Sequence, residues 1–476
     1  MTDGRPVTLA EALAENAMLR TVVAQLMPKV EQLEARIVEL EARLAQNSQN
    51  SSRPPSSDPP SLKLPPKKWP SGRKPGGQPG HKGSHRELLP PEKVHKVEEH
   101  WPTNCENCEA VLRTEMRTEV GEPLRHQVAE IPPVQAHVTE HRLHAQACHL
   151  CQHATQAELP AGVPTGAFGP RLQAVIALFT GCYHVSKRTA MSALGDLFGT
   201  VLSLGSVSKS EQVMSNAVAA PVTEAHEYVQ KQPVVHADET SWTERRQRAW
   251  LWIAGTPLVA VFMIHAHRGA DAARALLGTF AGILVTDRWS AYSGWSLKVR
   301  QLCWAHLLRD FNFIAESKGT AGAVGQALVS LTRKLFRDWH RVRDGTMTRA
   351  AFQTRAGRIR IRVEMLIKQG AGCHAPKVSG MCLKILEVES AMWTFVSVEG
   401  VEPTNNFGER ALRPSVLWRK SSFGTHSDAG SRFAERMMTV AATLKLQRRN
   451  VFHYLVEASE AALIQHPPPS LLPLPA

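Results

Sequence analysis

The chain is 476 residues long, which exceeds what one hydrophobic core usually organises and predicts three or more domains. With 43% hydrophobic and 21% charged residues, the composition is typical of a globular protein, and the formal net charge of +13 favours a polyanionic partner such as nucleic acid. The most apolar run, residues 251–264, is broken by Gly, Thr and Pro, so it predicts a pair of strands and excludes a membrane span. The chain does not open on a basic and then apolar leader, and we expect a cytoplasmic protein with no membrane partner.

Residues 1–46 are predicted to form a coiled-coil dimerisation helix. Leucine recurs every seven residues, and a β-branched residue or leucine stands four residues after each: Leu19, Leu26, Leu33 and Leu40, then Val23, Val30, Ile37 and Leu44. Leucine at d with mostly β-branched residues at a favours a parallel homodimer, and Asn16 at the preceding a position would fix its register. The alternative is an amphipathic helix packed on its own chain, and we expect Pro28 at an outer position to kink the helix.

Residues 47–100 are predicted to be a disordered basic linker, because their Asn, Ser and Pro content buries too little apolar surface to fold. Between Ser61 and Arg86 the linker has seven Lys or Arg and no acid, a pattern that suits a phosphate backbone. The alternative is a merely solvated linker. The candidate DNA contacts here are Lys67, Lys68, Arg73, Lys74 and Lys82.

Residues 101–155 are predicted to be a zinc-binding module. Two C-x-x-C pairs, Cys105 with Cys108 and Cys148 with Cys151, are separated by 39 residues. Each pair offers two thiolates from one tight turn, which is what a tetrahedral structural zinc site needs, and the alternative is four free thiols. The alternating residues 126–145 between the pairs predict strands, so a zinc-ribbon-like module fits. The other cysteines are expected to be core thiols: Cys182, Cys303, Cys373 and Cys382.

Residues 165–225 are predicted to form a helical domain of the kind that binds DNA. Three helical segments are joined by short Gly or Ser turns, and the last two resemble a helix-turn-helix pair. Three short helices with apolar faces are equally compatible with a domain that serves packing alone.

A different pattern begins after Gln232. Three apolar segments rich in Val, Ile and Trp predict an antiparallel meander, and a helix, a strand ending at Asp287 and a second strand follow. This order is that of a ribonuclease-H-like fold. The predicted fold class is therefore multidomain α/β, with the catalytic core in two parts, 226–315 and 396–430, around a basic helical insertion, 316–395. Residues 431–476 are predicted to hold a C-terminal helical element and a disordered tail.

Three carboxylates fall where that fold would bring them together. Asp238 lies in the first strand, Asp287 ends the fourth, and Glu409 follows a helix start, with Asn405 one turn before it. Such a set of oxygen donors is what two Mg²⁺ or Mn²⁺ ions need for phosphodiester chemistry. Glu239 is not chosen, because adjacent residues of a strand point to opposite faces. Asp271 is expected to cap a helix.

Four cations follow Glu409, namely Arg410, Arg413, Arg419 and Lys420, and they are candidate contacts to DNA phosphates. The alternative is a solvated helix face. Cys303 and His306 form a C-x-x-H pair, for which a packing role is expected.

The segments "VVHADETSW", "LVTDRWSAY", "CWAHLLRDF" and "PTNNFGERALRPSVLWRKSSFGTHSDAGSRFAERM" resemble the D-D-E core of insertion-sequence-66 family transposases. That family also begins with a leucine-zipper helix, a linker like "QNSSRPPSSD", a "GGQPGHKG" segment and a four-cysteine zinc module, and similar transposases with such insertions carry a C-x-x-H pair. The resemblance implies that Asp238, Asp287 and Glu409 are catalytic. It further implies a DNA transposase that binds element ends and target DNA, cleaves and transfers strands, and works with accessory proteins of the element where these are needed.

Two other functions stay open at this point. A zinc-containing DNA-binding regulator without catalysis would need only the zipper and the cysteines, and it leaves the three carboxylates unexplained. A ribonuclease-H-like nuclease that cuts without joining strands would need only the carboxylates.

Overall fold

In the computed structural model of the chain, residues 8–44 and 86–473 are described. The described residues divide into two compact units, one of residues 8–44, 139–195 and 201–473 and the other of residues 86–138 and 196–200. Within the described ranges, no helix is long and apolar enough to cross a membrane. The candidate DNA contacts of the basic linker lie outside the described residues: Lys67, Lys68, Arg73, Lys74 and Lys82.

The N-terminal segment is one long helix, α1 (Leu9–Leu44), which continues through Pro28. With a rise of about 1.5 Å per residue, such a helix is roughly 54 Å long. The predicted a and d side chains are exposed along it, with Leu26 at 50% and Leu33 at 63% exposure. Over residues 8–44, therefore, the apolar stripe is not packed on the core of its own chain.

Few regular elements occur over residues 86–169, the described part of the chain between α1 and α2. The first two strands, β1 (Ala145–Ala147) and β2 (Ala154–Gln156), pair antiparallel and flank the second cysteine pair. Strands were expected within residues 126–145. Residues 117–144 contain neither helix nor strand, and β1 begins only at Ala145. Their apolar side chains are exposed, as Val128 and Ile131 show, so the alternating pattern has no surface on which to bury one face.

Four helices precede the central sheet: α2 (Pro170–Ala177), α3 (Lys187–Phe198), α4 (Leu204–Ala217) and α5 (Ala219–Gln230). We expected a separate helical domain here, with a resemblance to helix-turn-helix proteins. Instead, Met214 of α4 and Val229 of α5 are buried in the same hydrophobic core as residues of the sheet. Their apolar faces therefore serve packing, the alternative that the sequence left open.

The sheet has five strands in the order β5-β4-β3-β6-β7. Their bounds are Val234–Glu244 for β3, Gln247–Gly255 for β4, Ala260–His265 for β5, Ile283–Thr286 for β6 and Arg300–Leu302 for β7. The first three strands form the expected antiparallel meander, whereas β3, β6 and β7 run parallel. A mixed sheet of this order is consistent with a ribonuclease-H-like core, as predicted.

The chain crosses from β5 to β6 through α6 (Ala270–Leu277) and continues after β7 into α7 (Trp304–Ala315). Helices α8 (Gly319–Arg343), α9 (Arg349–Ala371), α10 (Pro376–Leu386) and the short α11 (Thr394–Ser397) then fill the region of the predicted insertion. They share a hydrophobic core with α7 and with Val285 and Leu302 of the sheet, built around Trp304, Phe352 and Phe395.

Three helices complete the fold: α12 (Asn406–Ser422), α13 (Asp428–Leu446) and α14 (Val451–Leu463). The tail after α14 was expected to be disordered, yet it packs back on the helices up to residue 473. Leu471 is fully buried, and Tyr454 donates a hydrogen bond to the Pro469 carbonyl at 2.8 Å. Prolines limit the conformations of this segment, which lowers the entropy lost when it is ordered.

Helix α13 covers the edge of β5 that has no neighbouring strand. Side chains spaced four residues apart on α13 accept hydrogen bonds from alternate backbone N–H groups of the strand: Thr443 from Ala260 at 3.1 Å, Thr439 from Phe262 at 3.0 Å, and Glu435 from Ile264. An open edge strand would otherwise offer these donors to another chain.

Replacing Thr439 with valine is expected to lower the free energy of unfolding by about 1–3 kcal/mol, because the buried N–H of Phe262 would lose its acceptor while the side-chain volume stays the same. Urea denaturation of the two proteins measures the difference, and Thr439→Ser, which keeps the hydroxyl, is the matched control. Equal stability of the valine variant and the parent would contradict this role.

Candidate active site

Two of the predicted carboxylates come from neighbouring parallel strands. Strand β3 pairs with β6 so that His236 lies opposite Val285, and the same register carried two residues further sets Asp238 opposite Asp287. Asp287 follows directly on β6, where the strand ends. The carboxyl end of β6, beside the middle of β3, therefore gathers two carboxylates.

The third carboxylate, Glu409, stands in the first turn of α12. The residue before that helix, Asn405, is fully buried and does not cap it. Instead, the Asn405 amide donates to the Ala237 carbonyl on β3 at 2.8 Å, and its oxygen lies 3.1 Å from His236 Nδ1. The backbone N–H of Asn405 also donates to Cys303 Sγ at 3.1 Å. Asn405 thus fastens the start of α12 to β3, one turn before Glu409.

Gly408 lets α12 approach the strand closely. A Cβ atom at this position would lie 3.0 Å from the Asp238 Cβ and 3.1 Å from the Asn405 amide nitrogen. A side chain here would require Asp238 or Asn405 to shift by a few tenths of an ångström. In the sequence, this requirement is indicated only by a glycine next to the candidate glutamate.

The three carboxylates influence one another electrostatically. Burial raises the pKa of Asp238 well above its usual value, and the charges of Glu239, Asp287 and Glu409 raise it further. Burial also raises the pKa of Glu409, with Arg309 acting in the opposite direction and Asp287 in the same one. A cluster of carboxyls with raised pKa values is costly to ionise, and divalent cations are the usual means of neutralising it.

The distances between potential ligand atoms show which of these side chains are close enough to share one metal ion. Among the described residues, the one group of three His, Cys, Asp or Glu side chains whose ligand atoms all lie within 4.8 Å of one another is Cys303, His306 and Glu409. At least one pair among Asp238, Asp287 and Glu409 therefore has its carboxylate oxygens further apart than that. His306 Nδ1 lies 3.7 Å from Glu409 Oε1, and burial lowers the pKa of His306 to about 4. The C-x-x-H pair thus lies beside the candidate glutamate, which the sequence did not indicate.

Glu239 lies on the other face of β3. Its carboxylate accepts hydrogen bonds from Arg268 and Tyr292, whereas the neighbouring Asp238 faces Gly408 on α12. The strand alternates as its period of two requires. Asp271 stands in the first turn of α6, where its charge suits the helix start, although its side chain does not cap the helix.

The candidate DNA-contacting cations of α12 differ in their surroundings. Arg410, Arg413 and Lys420 are exposed. Arg419 is turned toward the sheet, where its Nη1 donates to Thr240 Oγ1 at 3.2 Å and to the carbonyl and hydroxyl of Ser241. A guanidinium with those bonds fixes α12 to β3, so Arg419 is the least suited of the four to hold a phosphate. Sequence reasoning also missed Arg309 of α7, whose charge acts on Glu409.

Each cysteine pair forms the same kind of turn. In the first, Cys105 N donates to the Ala110 carbonyl and Glu109 N to the Cys105 carbonyl, both at 2.9 Å, and Glu109 has a φ of 59°. In the second, Cys148 N donates to the His153 carbonyl at 2.9 Å and Gln152 N to the Cys148 carbonyl at 2.8 Å, with a φ of 60° at Gln152.

Hydrogen bonds from the backbone of these turns lower the pKa values of the Cys105 and Cys148 thiols. A lowered pKa favours the thiolate, which is the form that binds metal. The donor set of each pair therefore fits zinc.

The fold, a mixed sheet with a helix carrying Glu409 laid against β3, is of the class found in D-D-E transposases. Residues 165–433, more than half of the chain, match the family described as "Transposase IS66 family", and the chain belongs to that family. Residues 3–87 match a "Family of unknown function (DUF6444)".

A curated relative, "Uncharacterized protein y4qI" of Sinorhizobium fredii, is 29% identical over 245 residues. The matched stretch covers 44% of this chain and 44% of that protein. The chain therefore spans less than half of the length of this relative.

Proposed function

We propose that the protein binds the ends of its insertion element as a dimer and catalyses metal-dependent strand cleavage and strand transfer, with Asp238, Asp287 and Glu409 as the metal-binding carboxylates. The observation that supports this most is the meeting of β3, β6 and α12, because side chains far apart in the sequence share one electrostatic environment there. Mg²⁺-dependent cleavage and joining of DNA that carries the element ends tests the proposal.

Two Mg²⁺ or Mn²⁺ ions held by these carboxylates would activate the attacking oxygen and neutralise charge on the phosphodiester. Residues of this chain supply the geometry. The Trp289 backbone N–H holds Asp287 Oδ1 at 2.8 Å, which leaves the second oxygen available as a ligand. Asn405 and Gly408 hold α12 against β3, so Glu409 faces Asp287 and His306.

The DNA backbone is proposed to lie along cations around this site. Arg410, Arg413 and Lys420 are exposed on α12, and Arg309 lies close enough to Glu409 to act on its pKa. The basic linker adds the candidates Lys67, Lys68, Arg73, Lys74 and Lys82. Each neutralised phosphate releases counterions, so affinity for DNA should fall with salt.

The other two functions are weaker explanations. A regulator without catalysis would not need an Asp238 carboxyl whose pKa is raised by burial and by the charges of Glu239, Asp287 and Glu409, which is costly for the fold. A nuclease that cuts without joining would have the same carboxylates, and only the formation of joined strands separates it from a transposase.

We further propose, from the spacing of the cysteines in the sequence, that Cys105, Cys108, Cys148 and Cys151 hold one structural zinc ion, since a tetrahedral site needs two such pairs. The purified protein is expected to contain about one zinc per chain by metal analysis. Cys148→Ser should lose it, whereas Cys373→Ser, outside the pairs, should keep it. A parent protein without zinc, or a Cys148→Ser variant with the full amount, would contradict the proposal.

A further inference from the structure

Glu239 is the most heavily bonded carboxylate near the site, although it does not face it. Its side chain is only 1% exposed. Arg268 donates to Oε1 from Nε at 2.9 Å and from Nη2 at 2.7 Å, and the Tyr292 hydroxyl donates to Oε2 at 2.7 Å. All of these bonds lie on the face of β3 opposite Asp238. The Glu239 carboxylate is therefore buried and both of its oxygens accept hydrogen bonds, whereas a metal ligand needs an oxygen that is open to the ion.

Arg268, which is held by Glu239, also contacts Trp289. Its guanidinium carbon lies 3.9 Å from the centre of the Trp289 ring and 4.8 Å from that of Trp250, so the guanidinium contacts both indoles. The Arg268 carbonyl also accepts a hydrogen bond from Trp289 Nε1 at 3.0 Å. Trp289 is thus held by its ring and by its N–H.

Trp289 in turn orients Asp287. Its backbone N–H donates to Asp287 Oδ1 at 2.8 Å. The indole is 36% exposed, so burial in the core does not hold this residue in place and Arg268 is its main support. A loss of Arg268 would free the turn that carries Asp287.

We propose that Glu239, Arg268 and Trp289 form a clamp, the Glu239 clamp, that positions the Asp287 carboxylate for divalent metal. They are positioning residues and not metal ligands. This inference rests on the proposed function, because it takes Asp287 to be a metal ligand. Arg300 supports the same turn from β7, where its Nη2 lies 3.4 Å from the Asp287 carbonyl.

The test is Mn²⁺ binding to the full-length protein, measured by titration calorimetry. Arg268→Lys keeps the charge beside Glu239 but removes the planar stack on Trp289. Trp289→Leu removes the stack at a partly exposed position, where the fold tolerates the change. Each is expected to weaken Mn²⁺ binding about 10-fold or more, the usual effect of losing a residue that orients a metal ligand. Strand cleavage by both variants should recover as Mn²⁺ is raised.

The matched control is Arg248→Lys. Arg248 stacks on the same Trp250, 5.0 Å from the ring centre, but is exposed and does not contact Trp289. This variant should bind Mn²⁺ as the parent does, and thermal unfolding of all variants checks that they are folded.

Three results would overturn the inference. Parent-like Mn²⁺ affinity in both Arg268→Lys and Trp289→Leu would show that these residues do not position Asp287 for metal. Glu239→Gln that loses Mn²⁺ as completely as Asp287→Asn would make Glu239 a ligand. Asp287→Asn with parent-like Mn²⁺ affinity would instead show that the proposed metal site is wrong, and the clamp would fall with it.

Discussion

Replacing Asp238 with asparagine is expected to reduce Mg²⁺-dependent strand cleavage by about 10³-fold or more. Metal ions at such a site contribute several kcal/mol of transition-state stabilisation, and asparagine lacks the charge that holds them. The same loss is expected for Asp287→Asn and Glu409→Gln. Cleavage of a labelled DNA end measures the effect.

Binding of the DNA end should change little in these variants, because the affinity is proposed to come from the cations. Asp271→Asn is the matched control, since Asp271 is an exposed acid in the first turn of α6 and lies outside the proposed metal set. Glu239→Ala should retain far more activity than Asp238→Ala, and Mn²⁺ should restore part of its loss. Equal damage from these two alanine variants would contradict the assignment of the faces of β3.

The double substitution Leu26→Glu and Leu33→Glu is expected to convert a dimer into a monomer. Both leucines are exposed on α1, and a parallel coiled coil would bury them against the partner helix. At about 1.5 kcal/mol for each of the four leucines of a dimer, the dissociation constant should rise by roughly 10⁴-fold. Sedimentation velocity at micromolar protein measures the oligomeric state.

The control uses the outer face of the same helix. Met18 and Val38 are also exposed, at 71% and 65%, but they occupy c and b positions of the heptad. Glutamate at both should leave the dimer intact. If the Leu26 and Leu33 variant has the same mass as the parent, α1 does not dimerise through this stripe.

Much of the catalytic core was predictable because its strands carry strong local patterns. The meander from β3 to β5 is rich in Val, Ile and Trp, and the alternation of β3 put Asp238 and Glu239 on different faces. The parallel pairing of β3 with β6 follows from helix α6, which carries the chain from β5 at one edge of the sheet across to the other side of β3.

The features that the sequence did not reveal depend on partners far away in the chain. Arg268 contacts Glu239 across 29 residues, and Arg419 donates to Ser241 across 178. Neither pairing has a local pattern. Helix α4 has the same apolar face whether it packs in a DNA-binding domain or against α2 and α13, so its place in the core was equally hidden.

The measurement that tests the account most directly is strand transfer by the full-length protein. The substrate is a DNA fragment that carries inverted repeats from the sequence flanking the coding region, incubated with a target plasmid and Mg²⁺. We predict cleavage at the repeat ends and a joined product, both absent with Glu409→Gln while the DNA end is still bound. Cleavage without joining, or a joined product that persists with Glu409→Gln, would contradict the account.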